Sequence, residues 1–198
     1  KFERQLYVGL GIELGQWHLQ RQAADMVVGA YPFDYVIGSF HKLDDIDLKF
    51  FHYKELDSKK LCRRYLEELL LIAGQGDFDC MAHLDLIKRY AAEQGVSIRA
   101  EDEEELVREI LKTLIKRGKV LEVNTSGLRQ AVKEMFPSAG ILRWYREEGG
   151  SILTIGSDAH RRQDVGAGFE EAGKLLSSLG FLYVSHFRGR KLTQKKIE

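Results

Sequence analysis

Cysteine, proline and a surplus of charge of either sign are all missing or scarce in this chain, and each shortage removes a class of protein. There are two cysteines, Cys62 and Cys80, without CxxC spacing. They build neither a disulfide framework nor a cysteine zinc site, and a reduced, cytoplasmic setting is the default expectation. Two prolines leave no room for a Pro-rich linker. Thirty basic and thirty acidic side chains cancel, so no global field draws the chain towards nucleic acid or a membrane. No apolar run is long enough to span a bilayer, and no signal-peptide pattern stands at Lys1. A P-loop and a GxSxG elbow are absent, and Gly9, Gly11 and Gly15 miss the GxGxxG spacing of a dinucleotide site.

What is present is an alternation of short apolar runs with amphipathic stretches. Strands are predicted over Leu6 to Glu13, Tyr35 to Phe40, Phe78 to Ala82, Val120 to Val123, Ser151 to Ile155 and Phe181 to Phe187. Between them Trp17 to Val28 carries mixed helical periodicity. Ser58 caps a helix running to about Gly74, with Leu61, Tyr65, Leu66, Leu69 and Ile72 as its stripe. Glu101 to Arg117 reads as a helix with acids in its first turns, a stripe of Leu106, Ile110, Leu111 and Leu114, and Gly118 as its stop. Pro137 and Ser138 open a helix that Gly149 and Gly150 end, and Asp164 to Leu179 reads as a last helix. From Arg188 onward the chain reads as a solvated basic tail. Strand, helix, strand at this spacing means βα units and a mainly parallel sheet, in a single domain. A barrel accounts for the pattern better than an open sheet, because polar endings recur on strand after strand and a barrel gathers them at one mouth.

Those endings are the chemistry of the chain. Glu13 closes the first strand, His41 the second, His83 the third, and Asp158 with His160 the fifth. Asp158 and His160 are two residues apart, so as a continuation of the strand they are expected to project together as a pair of metal ligands. A buried Asp at such a place calls for a cation or several donors. His41 and His83 occupy equivalent places in their βα units, which favours metal ligation over isolated structural roles. Asn124, Ser126 and Arg129, after the strand Val120 to Val123, combine helix-capping residues with an arginine able to fork onto a phosphate, and Arg161 and Arg162 are similarly placed. His18, His52 and His186 are expected to be structural or superficial.

In this order the motifs Gly11-Ile12-Glu13, Gly38-Ser39-Phe40-His41, Ala82-His83-Leu84-Asp85 and Gly156-Ser157-Asp158-Ala159-His160 resemble the PHP (polymerase and histidinol phosphatase) family of metal-dependent phosphoesterases. Within it, Glu122-Val123-Asn124-Thr125-Ser126-Gly127-Leu128-Arg129 is similar to the histidinol-phosphate phosphatases of histidine biosynthesis. The resemblance implies a distorted barrel of seven βα units with up to three divalent ions (Zn, Mn or Fe) at its mouth. It implies that Glu13 bridges two of them, that His41 and His83 complete one site, and that Asp158 and His160 serve the others. Glu13, Asp158 and His160 would be the catalytic set, and Asn124, Ser126, Arg129, Arg161 and Arg162 the substrate-binding one. The implied substrate is a small phosphomonoester, L-histidinol phosphate, with no nucleic-acid or membrane partner. Another PHP phosphoesterase or exonuclease, and an inactive partial barrel, are the alternatives. The family's His-x-His strand has no match in this sequence. The expectation is therefore an N-terminally shortened domain whose own residues do not complete a trinuclear site, and whose exposed strand edges invite self-association.

Overall fold

Gly11-Ile12-Glu13-Leu14-Gly15 alternates apolar side chains with glycine and glutamate, so a strand there offers one face to a core and keeps the other clear for a site. The computed structural model describes residue 5 and residues 7–197. Its elements begin with β1 (Gly11–Gly15), α1 (Arg21–Ala30), β2 (Tyr35–Ser39), β3 (Lys42–Leu43), β4 (Ile46–Asp47), α2 (Ser58–Gln75) and β5 (Cys80–Met81). They continue with α3 (Ile87–Glu93), α4 (Glu104–Lys116), β6 (Val120–Asn124), α5 (Ala139–Glu147), β7 (Leu153–Gly156), α6 (Phe169–Ser178), β8 (Tyr183–Arg188) and β9 (Lys191–Lys196).

Five of the strands form one parallel sheet in the order β1-β2-β5-β6-β7, which is chain order, as successive βα units require. Glu13 lies opposite Ile37, Ile37 opposite Cys80, Cys80 opposite Val120, and Leu121 opposite Leu153, so the carboxyl ends gather along one rim. This is the α/β architecture that the alternation predicts. Among the described residues the sheet does not close on itself, and β1 and β7 are its outer strands.

One face of the sheet supplies Val36, Met81, Leu121, Val123 and Leu153 to the core. Against it pack Leu61, Tyr65, Leu66, Leu69 and Ile72 of α2 and Val107, Ile110, Leu111 and Leu114 of α4, all buried. Full burial of such a side chain is worth about 1.5–3 kcal/mol, so these two helices carry much of the fold's stability. Gly38 lets the layers meet, since a Cβ there would stand 2.4 Å from the Phe78 ring. The other face presents Glu13, Tyr35, Ile37, Glu122, Asn124 and Thr154 to a cavity of about 490 Å³.

Several boundaries differ from the sequence reading. Leu6 lies outside the described residues, and β1 begins at Gly11. Asp57, not Ser58, caps α2: its backbone is extended and its carboxylate accepts from Lys60 N at 3.0 Å. The helix read over Glu101 to Arg117 starts as a 3-10 turn at Ala100–Glu103, and Val107 rather than Leu106 is fully buried. Asp164 to Leu179 divides into a 3-10 turn, Arg162–Asp164, a loop, and α6. The basic tail is solvent-exposed, as read, but ordered: β8 and β9 pair antiparallel through a turn at Gly189 and Arg190. The Arg190 guanidinium donates to Asp79 Oδ1 at 3.0 Å and Asp77 Oδ2 at 3.2 Å, and Gly189 N donates to Asp34 Oδ1 at 2.7 Å. The hairpin is thereby latched to the amino ends of β2 and β5.

Candidate metal centre

Three of the strand endings converge. Glu13 stands on β1, His41 two residues past β2, and His83 two residues past β5. Glu13 Oε1 lies 3.2 Å from His41 Nε2 and 3.4 Å from His83 Nε2, and the two Nε2 atoms are 3.3 Å apart. Donor atoms about 2.0–2.2 Å from a tetrahedral ion stand about 3.3–3.6 Å from one another, so this near-equilateral triangle is close to the edge length of a metal's coordination shell. Among the described residues it is the one cluster of three or more His, Cys, Asp or Glu groups with ligand atoms this close. The donor chemistry, two imidazoles and a carboxylate, suits Zn, Mn or Fe.

Electrostatics agree with the geometry. Burial pushes the Glu13 carboxyl up, but the hydrogen bond and charge of His83 and the charge of His41 outweigh it and bring it down to about 2. Burial, helped by the charge of His83, lowers His41, which therefore favours its neutral, ligating form. Burial also works against a charged His83, yet its hydrogen bond to Glu13 and the charges of Glu122, Glu13 and Asp158 raise it overall. Of the two rings, positive charge is thus favoured on His83 and disfavoured on His41.

Backbone contacts aim the rings. The Gln16 amide oxygen, in the orientation that satisfies both donors, accepts from His41 N at 2.8 Å and Lys42 N at 2.9 Å. His83 N donates to Glu122 Oε2 at 2.9 Å. Glu122 is the residue of this site that the sequence reading passed over. Its signal was a charged side chain inside the apolar run Val120-Leu121-Glu122-Val123, on the same face as Asn124.

The remaining predicted residues divide. Asp158 lines the same cavity as Glu13, His83 and Glu122. His160 stands beside it, Nδ1 3.5 Å from Asp158 Oδ1, but does not line the cavity. β7 ends at Gly156, and Asp158 has a left-handed backbone with φ 47°. The i, i+2 strand rule therefore does not reach these two residues, and the His160 side chain is 82% exposed, with Nδ1 3.1 Å from Asp158 O. Asn124 borders the cavity but its amide is engaged, Nδ2 donating to Glu122 Oε2 at 3.2 Å and Oδ1 accepting from Ser126 N and Oγ at 3.0 and 2.7 Å. Arg129 donates to Ser157 O at 2.7 Å and faces Asp164 Oδ1 at 3.5 Å, so it braces the loop that carries Asp158. Arg161 and Arg162 are exposed, and their side chains form no hydrogen bond or ion pair among the described residues. His18 is buried against Glu68 in the turn before α1, and His52 is exposed, as read. His186 is exposed too but edges the far end of the cavity and meets Thr193 Oγ1 at 2.7 Å.

Comparison with known proteins gives a consistent answer. The PHP domain family matches residues 2–126. A Clostridium acetobutylicum protein named "Probable histidinol-phosphatase" is 32% identical over 173 residues, covering 85% of this chain and 67% of the relative. The histidinol-phosphatase of Lactococcus lactis is 26% identical over 201 residues, covering 99% and 74%. A crystal structure of that Lactococcus enzyme, complexed with zinc, L-histidinol and phosphate, superimposes with a TM-score of 0.79 over 97% of this chain and 74% of the other, at 24% identity. The chain thus spans about two thirds to three quarters of the length of these relatives.

Proposed function

The chain belongs to the PHP domain family, and from that membership we propose that the protein is a metal-dependent phosphomonoesterase, a histidinol-phosphatase that hydrolyses L-histidinol phosphate to L-histidinol and phosphate. The observation that carries the reading is the Glu13–His41–His83 triangle, with edges of 3.2–3.4 Å. Relatives of this chain bear the histidinol-phosphatase name, and the Lactococcus structure with the same fold holds zinc, L-histidinol and phosphate.

In this proposal Glu13, His41 and His83 hold one divalent ion, and Asp158, a quarter exposed at the same cavity, adds a carboxylate towards another. When bound, such ions acidify water and stabilise charge on phosphoryl oxygens. The chain's own residues set the frame for that chemistry. Glu13 stays ionised across the neutral range, His41 presents a neutral nitrogen, and the Arg129 brace fixes the turn from which Asp158 projects. Arg161 and Arg162, uncommitted beside that turn, are the cations placed to meet a phosphate, whereas Arg129, Asn124 and Ser126 already have intramolecular partners.

The test is release of inorganic phosphate from L-histidinol phosphate by the metal-loaded protein, set beside release of nucleotides from single-stranded DNA. The proposal expects metal-dependent phosphate release and no DNA degradation. DNA degradation without phosphate release would replace it with a nuclease reading.

A further inference from the structure

We infer that Glu122 is a positioning residue: backed by Asn124 and Ser126, it fixes the backbone of His83 so that the imidazole Nε2 faces Glu13 and His41. The inference rests on the metal-dependent reading above and deepens it.

A carboxylate in the middle of an apolar strand is costly unless several donors offset it. Glu122 is 7% exposed, and its Oε2 takes two donors, His83 N at 2.9 Å and Asn124 Nδ2 at 3.2 Å. Asn124 in turn is fixed through Oδ1 by the backbone and hydroxyl of Ser126. All three are buried, so the chain of bonds is shielded from competing water.

His83 needs such a hold. It follows a strand of two residues and sits at φ 21°, outside the backbone settings that side chains other than glycine favour. Its neighbours have their own anchors: the Tyr65 hydroxyl donates to Leu84 O at 3.0 Å, and Asp85 Oδ2 accepts from Ser138 N at 3.0 Å. The amide of His83 itself is held by Glu122. Gly156 on the adjacent strand makes the arrangement possible, because a Cβ there would lie 2.2 Å from Glu122 Oε1. Two different positions can therefore perturb one contact. The same bonds account for Asn124 and Ser126 without a role in gripping substrate.

Zinc titration by calorimetry, with circular-dichroism melts of the metal-free proteins, tests this. Glu122→Ala is expected to weaken zinc binding by about 10–100-fold, the range for losing a group that orients a ligand. Glu122→Gln keeps an oxygen that accepts both donors and is expected to bind zinc nearly as the unaltered protein does. Gly156→Ala, whose Cβ would press on Glu122 Oε1, is expected to weaken binding while the fold persists. Unchanged zinc affinity in Glu122→Ala, or equal losses in Glu122→Ala and Glu122→Gln, would overturn the inference. If Glu122→Ala gives no cooperative melt, Gly156→Ala decides, and unchanged affinity there has the same force. An unaltered protein that binds zinc but releases no phosphate overturns the proposed reaction and leaves the role of Glu122 standing; one that binds no zinc overturns both.

Discussion

Two imidazole nitrogens 3.3 Å apart, both aimed at one carboxylate oxygen, are held together by a cation between them or by a shared proton. Metal and proton therefore compete for the triangle. Glu13, depressed to about 2, is ionised throughout the working range and does not set the pH dependence. His83, raised by its acidic neighbours, does: below its folded value it carries the proton that an ion must displace, and above it the nitrogen is free. Zinc affinity is accordingly expected to rise with pH over about pH 5 to 8, with proton release on binding in the lower part of that range. Calorimetry in two buffers of different ionisation enthalpy measures both, and a flat profile would show that no histidine yields its proton. In the same titrations His160→Ala is expected to leave this site's affinity unchanged, because the ring points to solvent. His41 and His83 were legible because each follows an apolar strand at the same place in its βα unit, and Glu13 because it is the one charged residue of Gly11–Gly15, though it sits within that strand and not at its end. Asp158 and His160 do meet, 3.5 Å apart, but through a left-handed Asp158 and not through the extended backbone that prolonging the strand assumes, which leaves the His160 ring at the surface. Glu122 has no role legible in the sequence beyond its place in the Glu122–Arg129 motif, because its partner, the His83 amide, is 39 residues away.

At the scale of elements, periodicity and caps located every helix but the seven-residue α3, and local chemistry blurred their ends. Asp57 and Ser58 are adjacent and either could cap α2; only Asp57 combines an extended backbone with a bond to Lys60 N. Asp57→Ala is expected to cost about 1 kcal/mol of unfolding free energy and Ser58→Ala far less. Urea denaturation of the two variants checks this, and the reverse order would return the cap to Ser58. In the β8–β9 hairpin the first strand was read and β9 was not, for another reason. A basic, polar stretch has no apolar alternation of its own, and what orders its turn is acid placed far away in sequence, at Asp34, Asp77 and Asp79. Such partners are visible only once the sheet has brought them together.

At the scale of the molecule, the parallel sheet has one essential consequence: it collects the carboxyl ends of β1, β2 and β5, so that residues 28 and 42 positions apart meet at one point. That order could be read from the alternation of elements. The distances could not, since they depend on register and on the Glu122 and Gln16 contacts that aim the rings. The central claim is that Glu13, His41 and His83 together hold a divalent ion. Anomalous scattering at the zinc edge from crystals of the protein grown with zinc tests it most directly. The account predicts a peak about 2.0–2.2 Å from a Glu13 carboxylate oxygen and from Nε2 of both His41 and His83. Zinc bound elsewhere, with no peak inside that triangle, would contradict it.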